Sequence, residues 1–141
     1  MKQTILAPKK IYCIDVGIIE EIGQEPMGNK GRLMENTVAM ELIKGSKNVG
    51  FEVFYWKDHQ GREVDFIIKD DRKVAKLIQA TYATSREAIE DREIKSLVIA
   101  SNELRCNNLF IVTWDYEGSI VIEGKKIALV PLWKWLLNKE L

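Results

Sequence analysis

Histidine and cysteine, the residues from which many catalytic and metal sites are built, are scarce in this sequence. The chain has one histidine, His59, and two cysteines, Cys13 and Cys106, which share no CxxC or Cys/His spacing. A histidine-based catalytic triad and a histidine-rich metal site are therefore excluded. Both cysteines fall in apolar stretches, so we expect small buried thiols in a reducing compartment.

A net charge and a long apolar run are missing as well. The 21 Lys and Arg residues equal the 21 Asp and Glu residues in number. The chain thus lacks the overall attraction that drives non-specific nucleic-acid binding, and any basic patch is local. No stretch approaches the roughly 18 apolar residues of a membrane helix, and the first residues hold too short an apolar patch for a signal peptide. We therefore expect a cytoplasmic protein that does not contact a membrane.

The residues that are abundant predict one globular domain. Of 141 residues, 46% are hydrophobic and 30% are charged, which is typical of a single core. No repeat, low-complexity tract or interdomain linker divides the chain. We assign residues 1–141 to one domain, with a core at about 31–114, an N-terminal strand and helix at 10–22, and a C-terminal hairpin and helix at 119–141.

Hydrophobic periodicity predicts the order of the secondary structure. The expected elements are a strand at 10–16, a short helix at 18–22, a helix at 32–44 capped by Gly45, strands at 51–56, 62–69 and 73–82, a helix from a capping box at 84–87 to about residue 102, a strand at 108–114, a hairpin at 120–130 about Gly124, and a closing helix at 131–141. Short turn-rich connectors between the three middle strands predict an antiparallel meander. We expect this meander at the centre of the sheet, in an α/β fold with helices on both faces.

Polar residues interrupt the middle strands in a pattern typical of a cation site. Period-2 alternation puts Glu63 and Asp65 on one face of their strand, and Gln79 and Thr81 on one face of the next. We therefore expect Asp65 and Gln79 to face each other, and Glu35, at the edge of the preceding helix's apolar stripe, to join them. Oxygen ligands from two strands and a helix suit Mg²⁺. The alternative is an exposed polar sheet face with cross-strand pairs, beside an ordinary surface glutamate.

The aromatic residues also have two interpretations. They stack on the bases of single-stranded nucleic acid in some proteins, but they more often fill cores and interfaces. In the closing helix, Trp133 and Trp135 cannot both face inward, so we expect one of them at the surface or in a contact. The candidates are Tyr55, Trp56, Trp114, Tyr116, Trp133 and Trp135.

The order of elements and the acidic positions resemble two related patterns. An acid in a helix, Asp in the second of three strands and an acid/amide-x-x pattern in the third resemble the core of PD-(D/E)XK nucleases. Nearly the whole chain is similar to the C-terminal domain of unknown function of archaeal-type AAA+ ATPases. Six pieces carry this likeness: Lys10-Ile11-Tyr12 with Asp15 and Gly17, Gly31-Arg32-Leu33-Met34-Glu35-Asn36, Tyr55-Trp56-Lys57, Arg62-Glu63-Val64-Asp65-Phe66, Ile78-Gln79-Ala80-Thr81-Tyr82 and Arg92-Glu93-Ile94. The resemblance implies a restriction endonuclease-like mixed sheet.

Under this resemblance, each position of the nuclease pattern falls on a residue of this chain. Asp65 takes the place of the central metal ligand, Gln79 the second acidic position, and Glu35 that of the helix acid. Ala80 takes a position whose carbonyl oxygen can bind the metal. Thr81 stands where active members have a catalytic lysine. The resemblance thus implies catalytic positions at Asp65, Gln79, Glu35 and Thr81, and Mg²⁺ ligands at Asp65, Gln79, Glu35 and Ala80.

Two of these positions depart from the active pattern. Thr81 supplies only a hydroxyl where a lysine polarises the attacking water, and the loss of such an electrostatic contribution costs roughly 3–4 kcal/mol. Gln79 replaces an anionic ligand by a neutral amide, so we expect Mg²⁺ to bind weakly. Lys76, on the opposite face of its strand, and Lys57, at the far end of its own, are poor substitutes for the lysine.

The expected function is that of a C-terminal accessory domain of a prokaryotic AAA+ ATPase. Such a degenerate nuclease fold would bind nucleic acid or protein without catalysis, with an AAA+ ATPase module or a second copy as partner and DNA or RNA as further candidates. The alternative is a Mg²⁺-dependent endonuclease that hydrolyses phosphodiester bonds. No nucleotide site is expected in this chain, because residues 45–50 have the glycines of a phosphate loop but Phe51 stands in place of its lysine.

Overall fold

A mixed six-stranded sheet organises the chain. The computed structural model describes residues 10–14 and 30–137, and its sheet order is β1-β2-β3-β4-β6-β5. The elements are α1 (Lys30–Val49), β1 (Glu52–Lys57), β2 (Glu63–Asp70), β3 (Lys73–Ala80), α2 (Asp91–Leu104), β4 (Leu109–Thr113), β5 (Gly118–Ile122), β6 (Lys125–Pro131) and α3 (Leu132–Leu137). The predicted mixed α/β fold is confirmed. Within the described ranges, no helix has the length and apolar character needed to cross a membrane.

Strands β1, β2 and β3 form the predicted antiparallel meander, but only β3 lies at the centre of the sheet. β1 pairs with β2 and β2 with β3, both antiparallel, whereas β3, β4 and β6 pair in parallel. β1 is therefore an edge strand, and the centre of the sheet lies at β3 and β4. The hairpin of β5 and β6 closes the other edge, and its turn residues Glu123 and Gly124 both have positive φ, at 49° and 72°, which matches the twist of a tight hairpin.

Each face of the sheet carries its own hydrophobic core, as alternation along β3 shows. Leu77 packs in the core that includes Leu97 of α2, and its neighbour Ile78 packs in the core that includes Leu42 of α1. All four side chains are essentially buried. Because these successive β3 residues point to opposite faces, α1 and α2 cover the two sides of the sheet, as predicted.

A β-bulge interrupts this alternation in β2. The pairs on either side of it are Trp56 with Val64 and Phe54 with Ile67, so two residues of β2 oppose one residue of β1. As a result Val64 lies in the α2 core and Phe66 in the α1 core, although regular alternation would put both on one face.

Several predicted boundaries are wrong. Described residues 10–14 do not form a strand, and the helix predicted at 18–22 lies outside the described residues. Helix α1 continues through Gly45 to Val49, because the left-handed residue that ends it is Gly50, with φ of 90°. Helix α2 begins at Asp91, where Glu90 and Glu93 form the capping box, rather than at residues 84–87.

The C-terminal helix and the cysteines agree with the predictions in part. Trp133 is 57% exposed and Trp135 packs against the α1 core, so one indole lies outside as expected. Cys106 is buried, whereas Cys13 is only partly buried.

Candidate functional site

Strands β2 and β3 separate at the point where the predicted site residues lie. Their last backbone pair is Phe66 with Ile78. Beyond it β2 continues along β1 alone, while β3 continues along β4. The strands diverge at Asp65 and Gln79, and we call this point the fork.

Side chains replace the backbone ladder at the fork. The backbone N–H of Ala80 donates to Oδ2 of Asp65 at 3.0 Å, and the backbone N–H of Asp65 donates to Oε1 of Gln79 at 3.3 Å. Both bonds are buried, so they satisfy backbone groups that the separating strands leave unpaired. One carboxylate oxygen of Asp65 is thereby fixed to the sheet.

The other oxygen of Asp65 meets a lysine from the start of the described chain. Nζ of Lys10 lies 3.0 Å from Oδ1 of Asp65 and 3.1 Å from Oε1 of Glu35 on α1. The side chain of Lys10 is 20% exposed and that of Asp65 only 6%. We call Glu35 and Asp65 the acidic pair and residues 10–14 the strap.

Two further residues fasten the strap to α1. The hydroxyl of Tyr12 donates to Oε1 of Glu35 at 3.1 Å, and the Tyr12 ring lies 6.0 Å from that of Phe66. Asn36 pairs with the backbone of Cys13 in both directions, accepting from its N–H at 2.7 Å and donating to its carbonyl at 2.8 Å. Polar side chains therefore hold the strap against the acidic pair.

Burial and neighbouring charges set the protonation of this cluster. Burial, and then the charge of Glu35, raise the pKa of Asp65 to about 6, although Lys10 and the N–H of Ala80 oppose the rise. Burial lowers the pKa of Lys10, but the two carboxylates outweigh burial and leave it above its usual value. Burial, and then the charge of Glu35, also raises the pKa of the Tyr12 hydroxyl. At neutral pH the cluster thus holds an ionised Asp65, an ammonium and a protonated phenol.

A second polar region lies on the α2 side of the fork. The hydroxyl of Thr81 bonds to the carboxylate of Glu93 on α2, and burial raises the pKa of Glu93 to about 7. A cavity of about 260 Å³ opens between the β1–β2 turn and α2. Its lining includes Arg62, Glu63, Gln79, Arg92, Glu93 and Ser96.

The structure brings only some of the predicted site residues together. Asp65 and Glu35 meet through Lys10, and Ala80 contacts Asp65 through its N–H. Gln79 accepts the backbone N–H of Asp65, but its side chain and that of Thr81 border α2, on the opposite side of the sheet from Glu35. The bulge in β2 is the physical reason, because it turns Asp65 toward α1 while its cross-strand neighbour Gln79 keeps the regular orientation toward α2. The expected face-to-face arrangement of Asp65 and Gln79 is therefore not found.

Lys10 and Glu93 are the residues that sequence reasoning missed. Both occur in the short pieces that carry the family resemblance, which was the available signal. The lysines considered from sequence lie elsewhere: Nζ of Lys57 is 3.7 Å from Glu63, and Lys76 lies over the ring of Phe110.

The donor set of the site is small. Within residues 10–14 and 30–137, no group of three or more His, Cys, Asp or Glu side chains is arranged to hold a metal ion. The acidic pair offers two carboxylates, a type of donor that Mg²⁺ accepts together with several waters. The two carboxylates are therefore chemically suited to bind Mg²⁺, but the ammonium of Lys10 already contacts both of them.

Fold and site together define an α/β domain with a lysine-neutralised acidic pair at a fork in a mixed sheet. Residues 30–135 match the family described as "Domain of unknown function (DUF4143)", and the chain belongs to this family. It is 38% identical over 116 residues to the uncharacterized protein MJ1544 of Methanocaldococcus jannaschii. That match covers 78% of this chain, which spans only 25% of the relative's length.

One solved structure has a similar fold. It is a chain of a half-complex from a tetradecameric assembly of Thermococcus gammatolerans McrB AAA+ hexamers with bound McrC. The TM-score is 0.51 at 15% identity, over 72% of this chain and 28% of that chain. At this identity the likeness concerns the fold alone.

Proposed function

We propose that this chain is an accessory domain of a prokaryotic AAA+ ATPase that binds a nucleic acid or protein partner and performs no hydrolysis of its own. One observation carries the second half of this proposal. The ammonium of Lys10 contacts both members of the acidic pair, at 3.0 and 3.1 Å, where a catalytic divalent cation would need free oxygens.

Both carboxylate oxygens of Asp65 already have partners. One oxygen accepts the N–H of Ala80 and the other faces Lys10. Mg²⁺ gives up its waters reluctantly, so replacing an ion-paired ammonium makes its binding weak. Thr81, at the position of the catalytic lysine, bonds to Glu93 instead, so this position supplies a hydroxyl and not an ammonium to polarise water.

The association with an AAA+ ATPase rests on three observations. The chain matches only a quarter of a much longer relative, and a chain of similar fold occurs in an assembly of AAA+ hexamers. The stretch that has the glycines of a phosphate loop, residues 45–50, lies in the last turn of α1 and the residue after it. An ATPase site for this system therefore belongs to a different part of the protein or to a partner, and a second copy of this chain is a further candidate partner.

A Mg²⁺-dependent nuclease is the second candidate, and the burial of Asp65 favours it. A carboxylate that is buried at a strand fork, with a pKa of about 6, is the kind of perturbed group found at catalytic sites. In this alternative, Asp65 and Glu35 hold the cation, and the roles of Gln79 and the Ala80 carbonyl follow the nuclease pattern.

A cleavage assay separates the two candidates. We expect no cleavage of linear, supercoiled or branched DNA, or of RNA, by the purified chain in Mg²⁺ or Mn²⁺. Cleavage that disappears in Asp65→Ala but persists in the exposed control Asp70→Ala would overturn the proposal.

A second variant, Gln79→Glu combined with Thr81→Lys, introduces the acid and the lysine that the nuclease pattern has at these positions. We expect this variant to be inert too, because both positions border α2 rather than the acidic pair.

A second experiment tests the ATPase partner. An in-frame Gly-x-x-x-x-Gly-Lys-Ser/Thr motif in the natural coding region upstream, or recovery of an ATPase with the tagged chain, supports the proposal. A natural reading frame that starts at Met1, with a monomer in sedimentation and no ATPase in the pull-down, contradicts it.

A further inference from the structure

The strap is held by polar contacts and by one aromatic ring, that of Tyr12, which packs against the α1 core. Ile11 is 93% exposed and Ile14 is 88% exposed, so its two aliphatic side chains contribute little to its attachment. Lys10, Tyr12 and Cys13 make the contacts described above with the acidic pair and Asn36. A segment attached through a few hydrogen bonds, the two ion pairs of Lys10 and one partly buried ring is easier to displace than a strand or helix whose side chains fill a core.

We infer that the strap is a displaceable latch over the acidic pair. In the latched state, Lys10 excludes a divalent cation. In the released state, Glu35 and Asp65 offer their oxygens to one divalent cation with water completing its shell. This inference rests on the part of the proposed function that assigns Lys10 as the occupant of the pair, and it is independent of the ATPase association.

The acidic pair stays in place when the latch opens. Asp65 is fixed by the N–H of Ala80, and Glu35 sits on α1 next to Met34, which is buried in the α1 core. Neither anchor involves the strap. Removal of the ammonium therefore leaves two carboxylates held near each other, whose repulsion a divalent cation relieves.

The position of the strap in the chain makes it a suitable control element. Residues 10–14 belong to none of the described helices and strands, so displacing them does not require a strand or helix to unpair. A partner that displaces the strap thereby changes the occupant of the acidic pair from an internal ammonium to a divalent cation.

Mn²⁺ binding, measured by electron paramagnetic resonance of the free ion, tests the latch. We expect Lys10→Met to bind Mn²⁺ at least tenfold more tightly than the wild-type chain, and Tyr12→Phe, which keeps the ring against Phe66, two- to threefold more tightly. Lys10→Met combined with Glu35→Gln should return to the weak wild-type affinity. Lys44→Met, which removes an exposed lysine paired with Glu41, serves as the matched control and should not change the affinity.

Two outcomes overturn the latch. One is a Mn²⁺ affinity of Lys10→Met within twofold of wild type, with far-ultraviolet circular dichroism showing a native fold. The other, which decides the matter if Lys10→Met does not fold, is an unchanged affinity in Tyr12→Phe. DNA cleavage by the wild-type chain would instead overturn the proposed function, so the two failures are distinguishable.

Discussion

The two sides of the fork handle a buried carboxylate in different ways. On the α1 side, Asp65 is kept ionised at neutral pH by Lys10, an ammonium 3.0 Å away. On the α2 side, Glu93 bonds to the hydroxyl of Thr81 and to a backbone N–H, and burial raises its pKa to about 7. The ammonium of Lys10 balances the charge of Asp65, whereas Glu93 tends to retain a proton.

This difference assigns the two sides different functional properties. The α1 side carries a true ion pair, so anything that removes the ammonium exposes negative charge. The α2 side changes its charge near neutral pH, because Glu93 titrates there. Control by displacement therefore belongs to the α1 side, whereas the α2 side carries the carboxylate with the higher pKa, about 7 against about 6 for Asp65.

Removal of the ammonium should have the largest effect on stability. We expect Lys10→Met to lower the free energy of unfolding by about 2 kcal/mol at pH 8, because Asp65 is left buried beside Glu35 without a counter-charge. At pH 5 the cost should fall below about 1 kcal/mol, since Asp65 then takes up a proton. Urea unfolding at the two pH values measures both numbers. An equal cost at both would contradict the ion-pair interpretation, and the exposed control Lys44→Met should cost less than about 0.5 kcal/mol.

A double-mutant cycle should show the coupling directly. In the Asp65→Asn background, the cost of Lys10→Met at pH 8 should fall by about 1 kcal/mol or more, because no buried charge is left unpaired at that position. The asparagine oxygen can still accept the N–H of Ala80, so the fork keeps its geometry. Additive effects in urea unfolding would mean that Lys10 acts through Glu35 alone.

The opposite sign is expected on the α2 side. The folded chain holds a proton on Glu93 up to about pH 7, whereas the unfolded chain loses it near the usual value of 4.5. Stability therefore falls as pH rises through this window. Glu93→Gln removes this loss of stability and keeps an acceptor for the capping box. The substitution should stabilise the chain by about 1 kcal/mol at pH 8, after allowance for solvent screening, and by almost nothing at pH 4. Destabilisation at pH 8 would show that the carboxylate is ionised and paired.

Much of the fold can be predicted from local sequence signals, and the wrong predictions of helix boundaries have local causes. The meander was predicted because short polar turns join alternating apolar strands. Residues 84–87 have the Thr-x-x-Glu pattern of a capping box, but the side chain of Ser85 bonds to Glu87. The helix starts instead after Glu90, which forms a capping box with Glu93 although it is neither Ser nor Thr. Hydrophobic periodicity does not determine the order of strands in a sheet. It therefore could not predict that β4 pairs in parallel with β3 and with β6.

The candidate site could be predicted only in part, for physical reasons. Glu35 and Asp65 were expected to meet, and they do through Lys10. The bulge that separates Asp65 from Gln79 depends on how two strands pair, and single-strand alternation cannot show it. The contact of Lys10 with Asp65 spans 55 positions along the chain, so no local pattern points to it.

Removal of the hydrogen bond between Thr81 and Glu93 on the α2 side should have the smallest effect on stability. The hydroxyl of Thr81 lowers the pKa of Glu93 against the larger effect of burial. Thr81→Val keeps the shape of the side chain but removes this donor, so the pKa of Glu93 should rise further and the free energy of unfolding at pH 8 should fall by about 0.5–1 kcal/mol. Carboxyl carbon chemical shifts followed by NMR between pH 4 and pH 9 measure the titration, with Asp65 as the internal reference. The charge of Asp65 raises the pKa of Glu93 less than burial does, so the midpoint of Asp65 should stay near pH 6, and a shift of both midpoints would show that the two carboxylates are strongly coupled.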